Sequence, residues 1–349
     1  MTALTAPARP EEDTSPRPVP WRRMVWVTWR QHRVALAGVA AFLGAWAVYL
    51  WIAGLQLHHA YAAVISCDPS SPDCANLVSS FNFMNNFLVN GYTLQPVPAL
   101  IGAFAGAPVL ARELETGTFR CAWTQGFGRW RWTLAKLVLL AAVVTAAAAA
   151  TSVLISWYYQ PYFGTANQNL SLSQASPFEV GLFDLRGVAF AAWTLAAFAI
   201  GVLAGMLIRR VVPAMAATLA VYTGLALVAA NVLRQRYLTP LLTARLDLPG
   251  NAWVISQWWT KGGTFAFADW HDAPDSLLQR LCPPSAVGFG KGSPGSLAQC
   301  LSQHGYTQWT RYQPITRFWP FQWIEGGWLL ALSLLLIAAT VWLVHRRAA

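Results

Sequence analysis

The sequence predicts an all-α integral membrane protein: six transmembrane helices, an amino-terminal interfacial helix, and a small extracytoplasmic domain between helices 5 and 6. Three observations predict it. Of the 349 residues, 56% are hydrophobic and only 11% are charged, less than half the roughly 25% expected of a soluble domain. Several charge-free apolar runs reach the about 20 residues that a helix needs to cross a hydrocarbon core roughly 30 Å thick. The Lys and Arg side chains gather in alternate loops, as they do on the cytoplasmic side of a bilayer.

Residues 1–20 are rich in Pro and Thr and have no apolar pattern, so they are expected to form a disordered cytoplasmic tail. They lack the early apolar core of a cleavable signal peptide. In the next stretch, WRRMVWVTWRQHR, helical spacing puts Arg22, Arg23, Arg30 and Arg33 on one side and Trp21, Met24, Val25 and Trp29 on another. This reads as an interfacial helix on the inner leaflet. The same residues also suit the basic and aromatic flank of the first span.

Five spans follow from uninterrupted runs. VALAGVAAFLGAWAVYLWIAGLQL lies between Arg33 and His58, and LVLLAAVVTAAAAATSVLISWYY follows Lys136. GVAFAAWTLAAFAIGVLAGMLI and VVPAMAATLAVYTGLALVAANVL flank Arg209 and Arg210, and GGWLLALSLLLIAATVWLV precedes His345. The remaining span, second in chain order, is expected from Tyr92 to Ala111, because Asn, Gly and Pro interrupt the pattern before Pro96. The chain then divides into a tail (1–20), the interfacial helix with helices 1–5 (21–233), an extracytoplasmic domain (234–320), and the last helix with a short cytoplasmic tail (321–349). The domain is rich in Trp, Gly and Pro, and its fold is left open. Gly102 and Gly106 form a GxxxG in the second span, and Gly201 and Gly205 form another in the fourth. Each allows close helix contact, within one subunit or between two.

With both termini inside, the cytoplasmic segments hold 15 positive and 5 negative side chains, so the net charge of +10 lies on that face. The cysteines agree with this orientation. Cys67 and Cys74 bracket the turn-rich CDPSSPDC, and Cys282 and Cys300 bracket a Gly/Pro/Ser-rich stretch. All four fall in loops assigned as outer, where disulfides persist, and two local bridges are expected, although spacing alone leaves connectivity open. Cys121 falls inside.

Several function classes find no support. The nearest string to a phosphate-binding loop, SAVGFGKGSPG, has Ser285 where the first Gly belongs and Gly292 after Lys291. Asp184, Arg186 and Glu325 are expected only at span ends, which speaks against ion-coupled transport through intramembrane acids. No residues have metal-ligand spacing: neither Asp269, His271, Asp272 and Asp275 nor His58 and His59 make a defined set. No hydrolytic triad presents itself, so the chain is expected not to be an enzyme and to bind no metal.

The loop after the second span reads GAFAGAPVLARELETGTFRCAWTQGFGRWRWTLAKL. Charge from Arg112, Glu113, Glu115, Arg120, Arg129, Arg131 and Lys136 alternates with Trp123, Trp130 and Trp132, and Gly117, Gly126 and Gly128 break it into short helical pieces and turns. Such a shape suits a docking element. Here the sequence resembles permease subunits of ABC transporters of the ABC-2 type, especially actinobacterial ones, in ARELETGT, in AWTQG, and in the leading WVTWRQHR. The resemblance implies a transmembrane half in the bacterial plasma membrane, without a nucleotide site of its own. A separate ABC ATPase subunit would bind ATP and Mg and dock on the loop 112–136. Carried to this chain, the docking positions are Arg112, Glu113, Glu115, Gly117, Thr118, Arg120, Trp123 and Gln125. Export, and a homodimer or a heterodimer with a similar permease, are the corresponding expectations, with lipid as the other partner and no nucleic acid. The alternative is a membrane scaffold or sensor whose outer domain binds a ligand without transport.

Overall fold

Among the described residues of the computed structural model, six helices are long and apolar enough to cross a membrane: Ala37–Ser66, Pro96–Thr116, Arg131–Tyr158, Gly187–Ile208, Val211–Arg236 and Ile315–Arg346. The structure describes residues 21–68, 71–88, 94–117, 129–163, 176–246, 248, 251–268, 272–282 and 297–347. The first span is part of one 46-residue helix, Trp21–Ser66, so the stretch expected as an interfacial helix is its opening turns, with no break between. The second span begins and ends later than Tyr92 and Ala111. Pro96 and Pro98, which fit a helix's first turn, start it, and it continues through the charged ARELET until Gly117 adopts φ 71°.

The loop between the first two spans holds the helix Pro72–Leu88, which packs on the first span. Cys67 and Cys74 are joined across the turn that leads into it, and Cys282 is joined to Cys300. Both bridges lie at the end of the bundle where the domain sits, called here the sheet end; the opposite end is the loop end.

The fourth span, Gly187–Ile208, is the hub, and it touches the second, third, fifth and sixth spans. Its most apolar stretch is 67% buried, against 17% for the fifth span. What lets the second span come close is the absence of side chains. A Cβ on Gly201 would stand 2.2 Å from the carbonyl oxygen of Gly102, and one on Gly205 would stand 2.4 Å from that of Ala107. A Cβ on Gly102 or Gly106 would likewise strike the backbone oxygen of Ala197 or Phe198. The two GxxxG motifs are therefore partners within one chain, glycine face on glycine face. At this contact Gly102–Gly106 widens into one π-helical turn.

The domain between the fifth and sixth spans is built on an antiparallel sheet of four strands, β1 (Leu241–Thr243), β2 (Trp253–Lys261), β3 (Thr264–Phe267) and β4 (Tyr306–Gln313), in the order β1-β4-β2-β3. Trp259, Phe267, Tyr306, Leu301 and the Cys282–Cys300 bridge fill its core between the sheet and the short helices Asp275–Leu281 and Leu297–Gln303. At its base Trp253 stacks on Phe178, which also meets Phe183, Phe318 and Phe321. The domain is narrower than expected at both ends, because residues through Arg236 continue the fifth span and Ile315 already opens the sixth.

Gly201→Ala is expected to lower stability by about 1 to 3 kcal/mol, the usual effect of overpacking, while Gly224→Ala, whose Cβ would meet nothing within 4 Å, stays neutral; thermal melting of the purified protein in detergent checks both. Mass spectrometry of the non-reduced protein is expected to return Cys67–Cys74 and Cys282–Cys300 linked peptides with Cys121 as the free thiol. A reactive Cys282 in intact protein contradicts this.

Candidate functional site

At the loop end, the last two turns of the second span are tied to two other spans. Lys136, near the start of the third span and 2% exposed, approaches Glu113 Oε1 at 2.5 Å and donates a second hydrogen bond to the Val109 carbonyl at 3.3 Å. The Glu113 side chain is 21% exposed, so the carboxylate keeps a view of solvent while the ammonium does not. Two residues on, Glu115 Oε2 accepts the backbone N–H of Val211, at 3.1 Å. That N–H is one of the four at the start of the fifth span that have no partner within the helix, and a carboxylate there also meets the positive end of the helix dipole.

Of the expected docking residues, the structure pairs Glu113 with Lys136 and bonds the exposed Glu115 to the Val211 N–H, leaves Arg112 exposed, and turns the chain at Gly117. Thr118, Arg120, Trp123 and Gln125 lie outside the described residues, as do Asp269 and His271. His58 Nε2 donates to the Trp157 carbonyl at 3.0 Å, and the imidazole stacks on the Trp157 ring. Cys282, Cys300 and His304 lie close together, but the two sulfurs bond each other, leaving no thiolate pair for a metal.

A second polar site, at the sheet end, escaped the sequence reading. Glu325 had been expected at the end of the last span; it lies a full two turns inside that helix and is 0% exposed. Arg234, expected to begin the domain, is 1% exposed and belongs to the fifth span. The arginine grips Glu325 with a fork, Nε to Oε2 at 3.0 Å and Nη2 to Oε1 at 2.7 Å, and Nη2 also reaches Asp184 Oδ1. Trp193 Nε1 donates to Oε1 at 2.8 Å and the Tyr237 hydroxyl to Oε2 at 3.2 Å, while Trp328 Nε1 donates to Tyr237 in turn. The Phe183 ring lies 4.2 Å below the guanidinium. One turn before Glu325, Gln322 accepts from the Ala189 N–H and donates to the Phe183 carbonyl, fastening the sixth span to the start of the fourth. Burial pushes the Asp184 carboxyl up to about 6, because the desolvation outweighs the pull of Arg234. Burial also lowers Arg186 to about 10, where its guanidinium lies against the Phe163 and Phe318 rings. The sequence signal for this cluster was one acid, Glu325, ahead of a charge-free helical run, and one arginine closing another.

The chain matches the model of a known family, described as ABC-2 membrane transporter related, over residues 39–234. This protein belongs to that ABC-2 family. No curated protein and no solved structure matches it. The matched region takes in five spans, the loop between the second and third, both GxxxG motifs and Arg234, and it stops before the sheet. An ABC-2 permease is the membrane component of its transporter and is not itself catalytic.

Lys136→Met is expected to destabilise this permease by about 3 kcal/mol, the low end for a buried pair that loses one partner, since Glu113 can still turn to water. Lys136→Met combined with Glu113→Leu should recover most of the loss. Thermal melting of the single and double variants as a cycle checks the coupling.

Proposed function

We propose that this ABC-2 permease is the transmembrane half of an ATP-driven exporter whose separate ABC ATPase docks on the loop 112–136. The observation that carries the reading is the way this loop is anchored. Its leading arm is bonded to the third span through Glu113 and Lys136 and to the fifth through Glu115 and Val211, so a push on the loop reaches three of the six spans. In this reading Arg112, Thr118, Arg120, Trp123 and Gln125 meet the ATPase, Gly117 turns the chain toward it, and the two acids pass the motion on. ATP and Mg belong to the partner, and no cofactor is bound by this chain.

Two features support an orientation with the termini and the loop in the cytoplasm. Positive charge concentrates at the loop end, as the positive-inside rule requires. Both disulfides lie at the sheet end, as expected of an oxidising exterior. The fifth span, with Val212, Val221, Leu227 and Val228 exposed, offers lipid or a second permease copy an apolar face, in a homodimer or a heterodimer.

The tagged permease, purified from its native membrane in mild detergent, is expected to bring an ABC ATPase with it in near equal amount. An Arg120→Glu and Trp123→Ala double variant should insert normally but lose that partner. Recovery of the permease without any ATPase under several mild conditions contradicts the transporter reading.

A further inference from the structure

Apolar side chains of equal volume usually serve a buried site as well as an ion pair does, or better. The three charges between the fourth, fifth and sixth spans therefore do something that packing alone would not. Their balance is uneven: Asp184 and Glu325 face one guanidinium, and Arg234 Nη1, although buried, has no hydrogen-bond partner. A buried network with an excess charge and an idle donor is held less tightly than a closed one.

The backbone beside it is also poised to move. The residues just before Arg234, Ala229–Leu233, form a π-helical turn, which holds one residue more than an α-helical turn, and such turns recur at functional sites. Rewinding to α geometry rotates everything beyond it by roughly 100°, the angle per residue of an α-helix, which carries the Arg234 side chain off Glu325. Everything beyond Arg236 is the domain, whose other connection is the sixth span that carries Glu325.

We infer that Arg234, Glu325 and Asp184 are the positioning residues of a releasable outer latch: joined, they clamp the outer ends of the fifth and sixth spans against the fourth, and parted, they let the outer side open with the domain. The inference rests on the exporter reading for its purpose. The groups that face the cluster are Trp193 from the fourth span, Tyr222 and Tyr237 from the fifth span and the chain just after it, Gln322 and Trp328 from the sixth, and Phe183 beside Asp184. Arg186, two residues from Asp184, is turned to Phe163 and Phe318 instead.

Asp184 gives the latch a direction in pH. Its carboxyl titrates near 6 when latched, against 3.8 for an ordinary aspartate, to which it returns when the latch parts and water enters. The latched form thus holds the proton more tightly. Latching gains strength as pH falls through 6, gains nothing further below 3.8, and loses that increment above 6.

The experiment uses the full-length permease in lipid nanodiscs, with Cys121→Ser and a single reporter, Ala229→Cys, at a position fully buried beside the cluster. A membrane-impermeant thiol reagent reads how often the outer side opens, and Ser256→Cys, exposed on β2, corrects for the reagent's own pH dependence. The parent is expected to label slowly, and more slowly at pH about 5 than at about 7.5, following the Asp184 linkage. Glu325→Gln should label at least about tenfold faster, a fraction of what loss of one member of a buried pair can do. Asp184→Asn, which imitates the protonated acid, should label slowly at every pH. Equal rates in Glu325→Gln and the parent, with both eluting as folded protein, would overturn the latch, and so would a parent rate that ignores pH. The pH comparison needs no cluster variant, so it decides the matter even where Glu325→Gln does not fold. None of these readouts requires the ATPase, so failure of the latch and failure of the exporter reading are told apart.

Discussion

Backbone touching backbone between the second and fourth spans is the contact on which the rest of the bundle depends. Lipid tails are as apolar as leucine, so helices in a bilayer gain little from hydrophobic burial and must associate through close packing and hydrogen bonds. Gly102, Gly106, Gly201 and Gly205 remove the side chains that would hold the two helices apart. Alanines on the remaining faces of the fourth span then let the third, fifth and sixth spans stand near it. A hub of this kind leaves the first, fifth and sixth spans largely uncovered by the rest of the chain.

The same scarcity of water governs the polar groups. Among the described residues, each end of the bundle has one ionic tie, and each tie crosses between spans: Glu113 with Lys136 at the loop end, and Glu325 with Arg234 and Asp184 at the sheet end. One member of each set is less tightly enclosed than its partners, Glu113 in one and Asp184 in the other, each 21% exposed against 2% or less. Both ties bear on the fifth span or its neighbours, because Glu115 caps that helix at one end and Arg234 closes it at the other.

Much of this was legible in the sequence. Charge-free runs located five spans, the fourth residue for residue, although the helices of the first and last extend well beyond their runs; the paired glycines announced a close contact, and only the structure shows that the two motifs meet each other. The second span was misplaced because its charged end, ARELET, reads as loop until partners for Glu113 and Glu115 are known. The Arg234 and Glu325 cluster was hidden for a related reason. The two residues are 91 positions apart, and each alone looks like the ordinary charged border of a span. Pairing is what allows them inside, and pairing at that separation has no sequence period. The absence of intramembrane acids, one ground for disfavouring ion coupling, does not survive their discovery, and membership of the ABC-2 family now stands in its place. The sheet was unreadable as well, since its strands are short and separated by up to 38 residues between β3 and β4.

The way the domain is attached has a consequence for how such a protein can change over time. The chain enters through β1 and leaves through β4, which are paired with Leu241 beside Tyr312. Arg317 reaches back to the Thr239 carbonyl and Gln313 to that of Leu238. The outgoing and returning segments thus form one stem, seated on the fifth and sixth spans. A module whose chain joins the bundle only through one two-stranded stem can be lengthened, shortened or exchanged without rethreading any helix through the bilayer. The family match, which ends at Arg234 just below that stem, is what a shared bundle with an interchangeable headpiece would produce.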